Sequence, residues 1–136
     1  MSEEHPMARL IVFDEQERVA RGAGIESVRL TPEPLDGQDF VMGVTTFPPG
    51  TSIPLHSHNT IEQVTVVEGS GIAIIDGVER PARPYDTTQI PPGEFHRFIN
   101  TGETVMRILW VYGSTHVTRT FAETGETVEQ FSRGSS

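Results

Sequence analysis

Along most of the chain, apolar and polar positions alternate with a period of two. Between residues 52 and 67, His56, His58, Glu62, Val64 and Val66 fall on one parity, and Gln63 and Thr65 take the other. Side chains two apart in a strand emerge on the same face, so this is the pattern of a strand with one face turned inward. Shorter strand patterns rich in β-formers occur at 26–30, 40–47, 72–75, 87–90, 96–100, 105–112 and 116–121. No segment longer than about ten residues carries a helical apolar stripe.

The punctuation between these runs has turn chemistry. Asp76-Gly77 is a two-residue hairpin signal, and Pro48-Pro49-Gly50 and Pro91-Pro92-Gly93 place Pro and Gly where a tight turn takes them. Turns recur at the spacing of a sandwich or barrel, which predicts an all-β chain. Residues 1–24 read as an arm or edge strand with an apolar patch at 10–13, closing on Gly22-Ala23-Gly24. Residues 25–122 read as the β-barrel domain and 123–136 as a polar tail that frays.

Composition narrows the chemistry. The formal charge is −9 and the ten basic residues are scattered arginines, which argues against nucleic acid or anionic membrane as a partner. Absence of Lys removes Schiff-base chemistry. Absence of Cys removes disulfides, thiolate ligands and a thiol nucleophile, so a metal would rest on nitrogen and oxygen donors. No apolar run reaches the length of a signal peptide or membrane span, and the cytoplasm is the expected compartment.

Such donors are present. His56, His58 and Glu62 share a parity and are expected on one wall of the barrel, and His96, forty residues beyond His56, follows Pro-Pro-Gly on a separate strand that closure of the sheet would bring across the interior. Three imidazoles and a carboxylate suit Fe, Mn, Ni, Co or Zn as divalent ions. By spacing alone, His56 and His58 read equally well as strand histidines facing a polar cavity.

Two ordered motifs resemble those of the cupin superfamily. Gly50, five residues, His56-Ser57-His58, three residues, Glu62, six residues, Gly69 is similar to the first motif throughout. Pro91-Pro92-Gly93, two residues, His96, three residues, Asn100 is similar to the latter part of the second, whose opening glycine is Tyr85 here, followed by Asp86. Fifteen residues separate Gly69 from Tyr85, a spacer like that of small single-domain cupins.

The resemblance implies a cupin-type double-stranded β-helix, or jelly-roll barrel, with one divalent ion per chain on His56, His58, Glu62 and His96. It makes Gly50, Gly69 and Gly93 turn positions and gives Asn100 a turn to fix. Glu62 is either a ligand or a catalytic base beside a three-histidine metal, since cupins show both arrangements. The implied function is a metal-dependent enzyme acting on a small, oxygen-rich organic molecule, dioxygenase-type first. A non-redox lyase, decarboxylase or isomerase and a non-catalytic binding or sensor protein are the alternatives. Small cupins pair, and the patch at 10–13 is placed to add to a sheet edge, so a homodimer is expected.

Outside the motifs, Trp110 and Tyr112 share a parity and read as core, with the pocket as the other place for them. Arg107 reads as an outer-face or dimer-contact residue with a substrate carboxylate as its rival partner. His5 and His116 read as surface, and Asp86 and Glu94 as solvated loop charges.

Overall fold

The computed structural model describes residues 8–131 and contains two six-stranded antiparallel sheets that face each other. The strands are β1 (Val19–Ala20), β2 (Glu26–Arg29), β3 (Val41–Phe47), β4 (His56–His58), β5 (Glu62–Glu68), β6 (Gly71–Ile75), β7 (Val78–Ala82), β8 (Thr87–Ile90), β9 (His96–Ile99), β10 (Met106–Tyr112), β11 (Thr118–Phe121) and β12 (Thr127–Glu129). The first sheet runs β1-β2-β3-β10-β5-β8 and the second β12-β11-β4-β9-β6-β7. The all-β jelly-roll barrel expected from the sequence is the observed architecture. Among the described residues no helix is long and apolar enough to cross a membrane.

Alternation decides what faces inward. Val41, Thr45 and Phe47 of β3, Val64 and Val66 of β5, and Met106, Ile108, Trp110 and Tyr112 of β10 are all buried, while their neighbours are not. The β3–β10 register pairs Met106 with Phe47 and Tyr112 with Val41, so one end of the barrel is closed by apolar side chains. Phe47 is fully buried there, and burial of such a side chain contributes about 1.5–3 kcal/mol. The other end of β10 pairs Tyr112 with Glu62, and the polar groups gather there.

Both Pro-Pro-Gly segments form the same turn. Gly50 and Gly93 have φ of 78° and 83°, and Thr51 and Glu94 donate their backbone N–H to Pro48 and Pro91. Asp76-Gly77 turns β6 into β7 with both residues left-handed. Gly69 is also left-handed, and a Cβ there would lie 2.2 Å from the Val105 carbonyl oxygen. Asn100 does more than fix its own turn. Its amide donates to the carbonyls of Phe47 and Thr104 and accepts from Gly102 N–H, joining the ends of β3 and β9 to the loop before β10.

Four expectations are corrected. The run at 52–67 is two strands, because residues 59–61 turn a corner that sends β4 into one sheet and β5 into the other. The patch at 10–13 forms no strand: Leu10 is 85% exposed, residues 13–15 form a 3-10 turn, and the edge strand is β1. The polar tail is ordered through 131, since β12 pairs with β11 and Phe131 packs on Trp110 and Tyr112. His5 and residues 132–136 lie outside the described residues. Asp86 is likewise more than a solvated charge, because its carboxylate accepts the Arg83 N–H and holds the turn.

Tyr85 takes the left-handed conformation of the glycine it replaces, with φ 75°. Its N–H donates to the Val66 carbonyl, and its ring is 80% exposed and packs on little. A left-handed non-glycine residue costs about 1–2 kcal/mol, partly offset in a comparison with glycine by the freedom glycine has when unfolded. Tyr85→Gly is therefore expected to stabilise the fold by about 1 kcal/mol, read as a higher urea midpoint at unchanged slope. A lower midpoint would show that the ring contributes packing.

Candidate metal centre

His56 and His58 lie on β4, and His96 on β9 is the direct register partner of His56. The three imidazoles thus share one sheet, and Glu62 on β5 reaches them from the sheet opposite. This reverses the expected division, in which Glu62 stood beside the first two histidines and His96 lay across. Inward parity survives the corner at 59–61, so the residues chosen by alternation all face the interior, and all four are buried.

One ligand nitrogen from each histidine lies within 4.8 Å of the others. The Nδ1 atoms are committed elsewhere, to the carbonyls of Pro54 at 2.7 Å, Thr118 at 3.0 Å and Glu94 at 2.9 Å. A carbonyl only accepts, so each Nδ1 carries a proton, and in the neutral ring Nε2 presents its lone pair to the interior. Glu62 Oε1 stands 3.1 Å from His96 Nε2 and 3.5 Å from His58 Nε2, fully buried and with no hydrogen-bond donor.

Bare imidazole nitrogens and a carboxylate oxygen repel at these distances unless a cation lies among them. A proton on His56 is disfavoured: burial first, then the neighbouring His96 and His58, pushes its pKa down to about 2. Burial also lowers that of His58, against the opposing pull of Glu62. Imidazoles with their second nitrogens tied to backbone carbonyls, together with one carboxylate, are the donor set of a borderline divalent ion. The residues fit a metal.

A cavity of about 260 Å³ opens beside His56, His96 and Glu62. Trp110 and Tyr112 are both buried and both line it, so they serve core and pocket together. Trp110 Nε1 donates to Thr45 Oγ1 at 2.9 Å, and the Tyr112 hydroxyl is 3.3 Å from His58 Nε2. Burial first, then the Glu62 charge, raises the Tyr112 pKa well above its ordinary value and keeps the phenol protonated. Gly43 lies beneath this wall, where a Cβ would meet Trp110 Cζ2 at 2.3 Å.

Arg107 is on the outer face, paired with Glu68, and His116 is at the surface against Glu129. Sequence reasoning missed Arg21 and Arg119, which both line the cavity. Arg119 is the register partner of His58 and shares its inward face, a placement visible only once β4 and β11 are paired. Arg21 precedes three consecutive left-handed residues, Gly22, Ala23 and Gly24, which turn β1 back on β2.

The family model for the cupin domain matches residues 43–112. Protein SchB of Streptomyces halstedii is 31% identical over 107 residues, 78% of each chain. Among solved structures, the fold is similar to a sugar phosphate isomerase from a cupin superfamily of Silicibacter pomeroyi, with TM-score 0.72 and 26% identity, covering 90% of this chain and 87% of that one. A predicted oxalate decarboxylase of Thermotoga maritima matches with TM-score 0.69 and 24% identity over 78% of this chain and 99% of its own.

The buried neutral histidines make the metal-free protein sensitive to acid. In the unfolded chain His56 and His58 take up protons near pH 6.5, whereas in the fold their lowered pKa values keep them neutral. Above that value neither state is protonated. Below it only the unfolded chain binds protons, so stability falls with pH by up to about 1.4 kcal/mol per unit for each histidine. Chelated protein is expected to lose about 2–3 kcal/mol between pH 7.5 and 5.5, and His56→Gln to lose about half of that dependence. Urea titrations at the two pH values check this, and equal stability in both would contradict the burial of neutral rings.

Proposed function

The chain belongs to the cupin family, and from that premise we propose that it is an enzyme which holds one divalent metal ion with His56, His58, His96 and Glu62. It acts on a small, oxygen-rich organic molecule inside the barrel, with an oxygen-dependent, dioxygenase-type reaction placed first. The observation that carries the metal is the convergence of bare Nε2 atoms on a buried Glu62 oxygen without a donor. When bound, the ion supplies Lewis acidity and, if Fe, Mn, Ni or Co, redox capacity.

The chain's own groups supply the rest. Glu62 contributes the only carboxylate lining the cavity among the described residues and can accept a substrate proton there. Tyr112, held protonated and with its hydroxyl 3.3 Å from His58 Nε2, can donate a hydrogen bond to an oxygen of the substrate. Trp110, Phe98 and Phe121 wall the chamber and exclude water from the charged groups. A second reading, non-redox isomerisation or lysis through Glu62 as base, is favoured by the similarity to the sugar phosphate isomerase.

Protein purified without added metal is expected to carry one ion per chain, and His58→Ala to carry none. Stoichiometric metal in that variant would remove the assignment. Glu62→Gln keeps the side-chain length and one oxygen donor but not the charge or basicity. On a substrate found by screening organic acids and sugar derivatives, it is expected to lose about 10²–10⁴ in rate, with metal occupancy measured alongside. Turnover in air that stops without oxygen supports the dioxygenase, and turnover indifferent to oxygen supports the isomerase or lyase. Near-wild-type turnover of fully metallated Glu62→Gln would end both.

A further inference from the structure

We propose that Arg119 and Arg21 form an oxyanion clamp that holds the carboxylate or phosphate end of the substrate in the chamber beside the histidines. The inference rests on the reading of the barrel as a substrate chamber and adds the charge class of what enters it. Arg119 faces inward opposite His58, and Arg21 reaches the same cavity from the β1–β2 turn. Arg119 Nε and Arg21 Nη1 are out of solvent and have no hydrogen-bond partner.

Neither guanidinium has a carboxylate within salt-bridge distance among the described residues, whereas Arg9, Arg18 and Arg107 are paired with Glu33, Asp14 and Glu68. Glu62, the one acid lining the chamber, faces the imidazoles. Two partly buried cations close enough to feel each other are costly without a counter-charge. Both line the one cavity, and burial first and Arg119 second lower the Arg21 pKa to about 10, still charged at neutral pH.

Both side chains are held ready. The Arg119 guanidinium lies 5.0 Å from the Phe121 ring centroid. Arg21 Nε donates to Ser27 Oγ at 3.4 Å, Ser27 Oγ is 2.8 Å from Thr45 Oγ1, and Trp110 Nε1 donates to that same Thr45 oxygen. Ser27, Thr45 and Trp110 are all buried, so the chain of contacts fixes one arginine to the chamber wall. Gln130 Oε1, buried at the same cavity and lacking a donor, suits a hydroxyl on the ligand. Planar forks of N–H donors match carboxylate and phosphate oxygens, and the cavity of about 260 Å³ limits the ligand to a small molecule.

The test uses metal-loaded full-length protein with glycolate, inorganic phosphate and neutral glycolamide as probes, read by calorimetry and by thermal shift. Wild type is expected to bind glycolate or phosphate and not glycolamide. Arg119→Gln and Arg21→Gln are each expected to weaken that binding about 10–100-fold with metal stoichiometry unchanged, and Arg119→Lys to recover part of it. Without a probe, Arg119→Gln is expected to melt no lower than wild type, because a buried unpaired charge is gone. Tighter binding of glycolate assigns a carboxylate substrate, and tighter binding of phosphate a phosphate ester. Unchanged affinity in both glutamine variants, glycolamide binding as well as glycolate, or no oxyanion binding by metallated wild type overturns the clamp. Arginine-dependent anion binding in a protein that takes up no metal upholds the clamp and fails the metal reading instead.

Discussion

Three imidazole lone pairs and a carboxylate crowd together out of water, and the barrel exists in this form because that cluster has to be held. Each group is expensive to bury alone. Part of the expense is met by backbone carbonyls that take the Nδ1 protons. Two of those carbonyls are local, since His56 and His96 each turn Nδ1 to the residue two before, Pro54 and Glu94. The third is distant: His58 relies on Thr118, sixty residues on, so the pairing of β4 with β11 fixes its tautomer. A strand that carries no ligand is thereby part of the site.

The inward placement of the candidate donors was legible because strand parity is a local property that a corner can preserve. His56, His58, Glu62, Val64 and Val66 face inward although the chain changes sheet after His58. The change of sheet itself was not legible. Asn59-Thr60-Ile61 has no Pro or Gly to punctuate it, and its corner is made by long-range bonds, from Gly113 N–H to the Ile61 carbonyl and between Asn59 and residues 116 and 118. At Tyr85 the turn itself was legible, from Pro84 and from the motif's glycine position, but its left-handed conformation was not, because contacts to Val66 and Arg83 impose a conformation that tyrosine does not choose. Arg21 and Arg119 carry no motif and become site residues only through pairing.

Those two arginines are also where the chain departs from its own rules. The molecule carries a net −9, yet its chamber is lined by two cations and a single acid. Elsewhere the described acidic groups sit at the surface and several pair with exposed arginines. Buried polar groups without partners cost stability wherever they occur, and proteins retain them chiefly at functional sites. Of the five unsatisfied buried side-chain atoms among the described residues, those of Arg21, Arg119, Glu62 and Gln130 belong to residues that line one cavity, and Arg97 Nε lies outside it.

Since the imidazoles come from one sheet and Glu62 from the other, the distance between them is set by how the sheets are spaced. That spacing is fixed locally at two points. The three-residue corner cannot stretch, and Asn59 clamps it by donating to the His116 carbonyl and accepting the Thr118 N–H at 2.7 Å. The second point is the turn before β9, where Gly93 N–H donates to the His58 carbonyl and so ties the position of His96 to β4. Corner and turn thus meet at His58, which bonds Gly93 through its backbone and Thr118 through its ring. An ion bound there inherits a geometry set by these connections. Displacing the Asn59 corner would accordingly move Glu62 relative to the imidazoles without touching any of the four side chains.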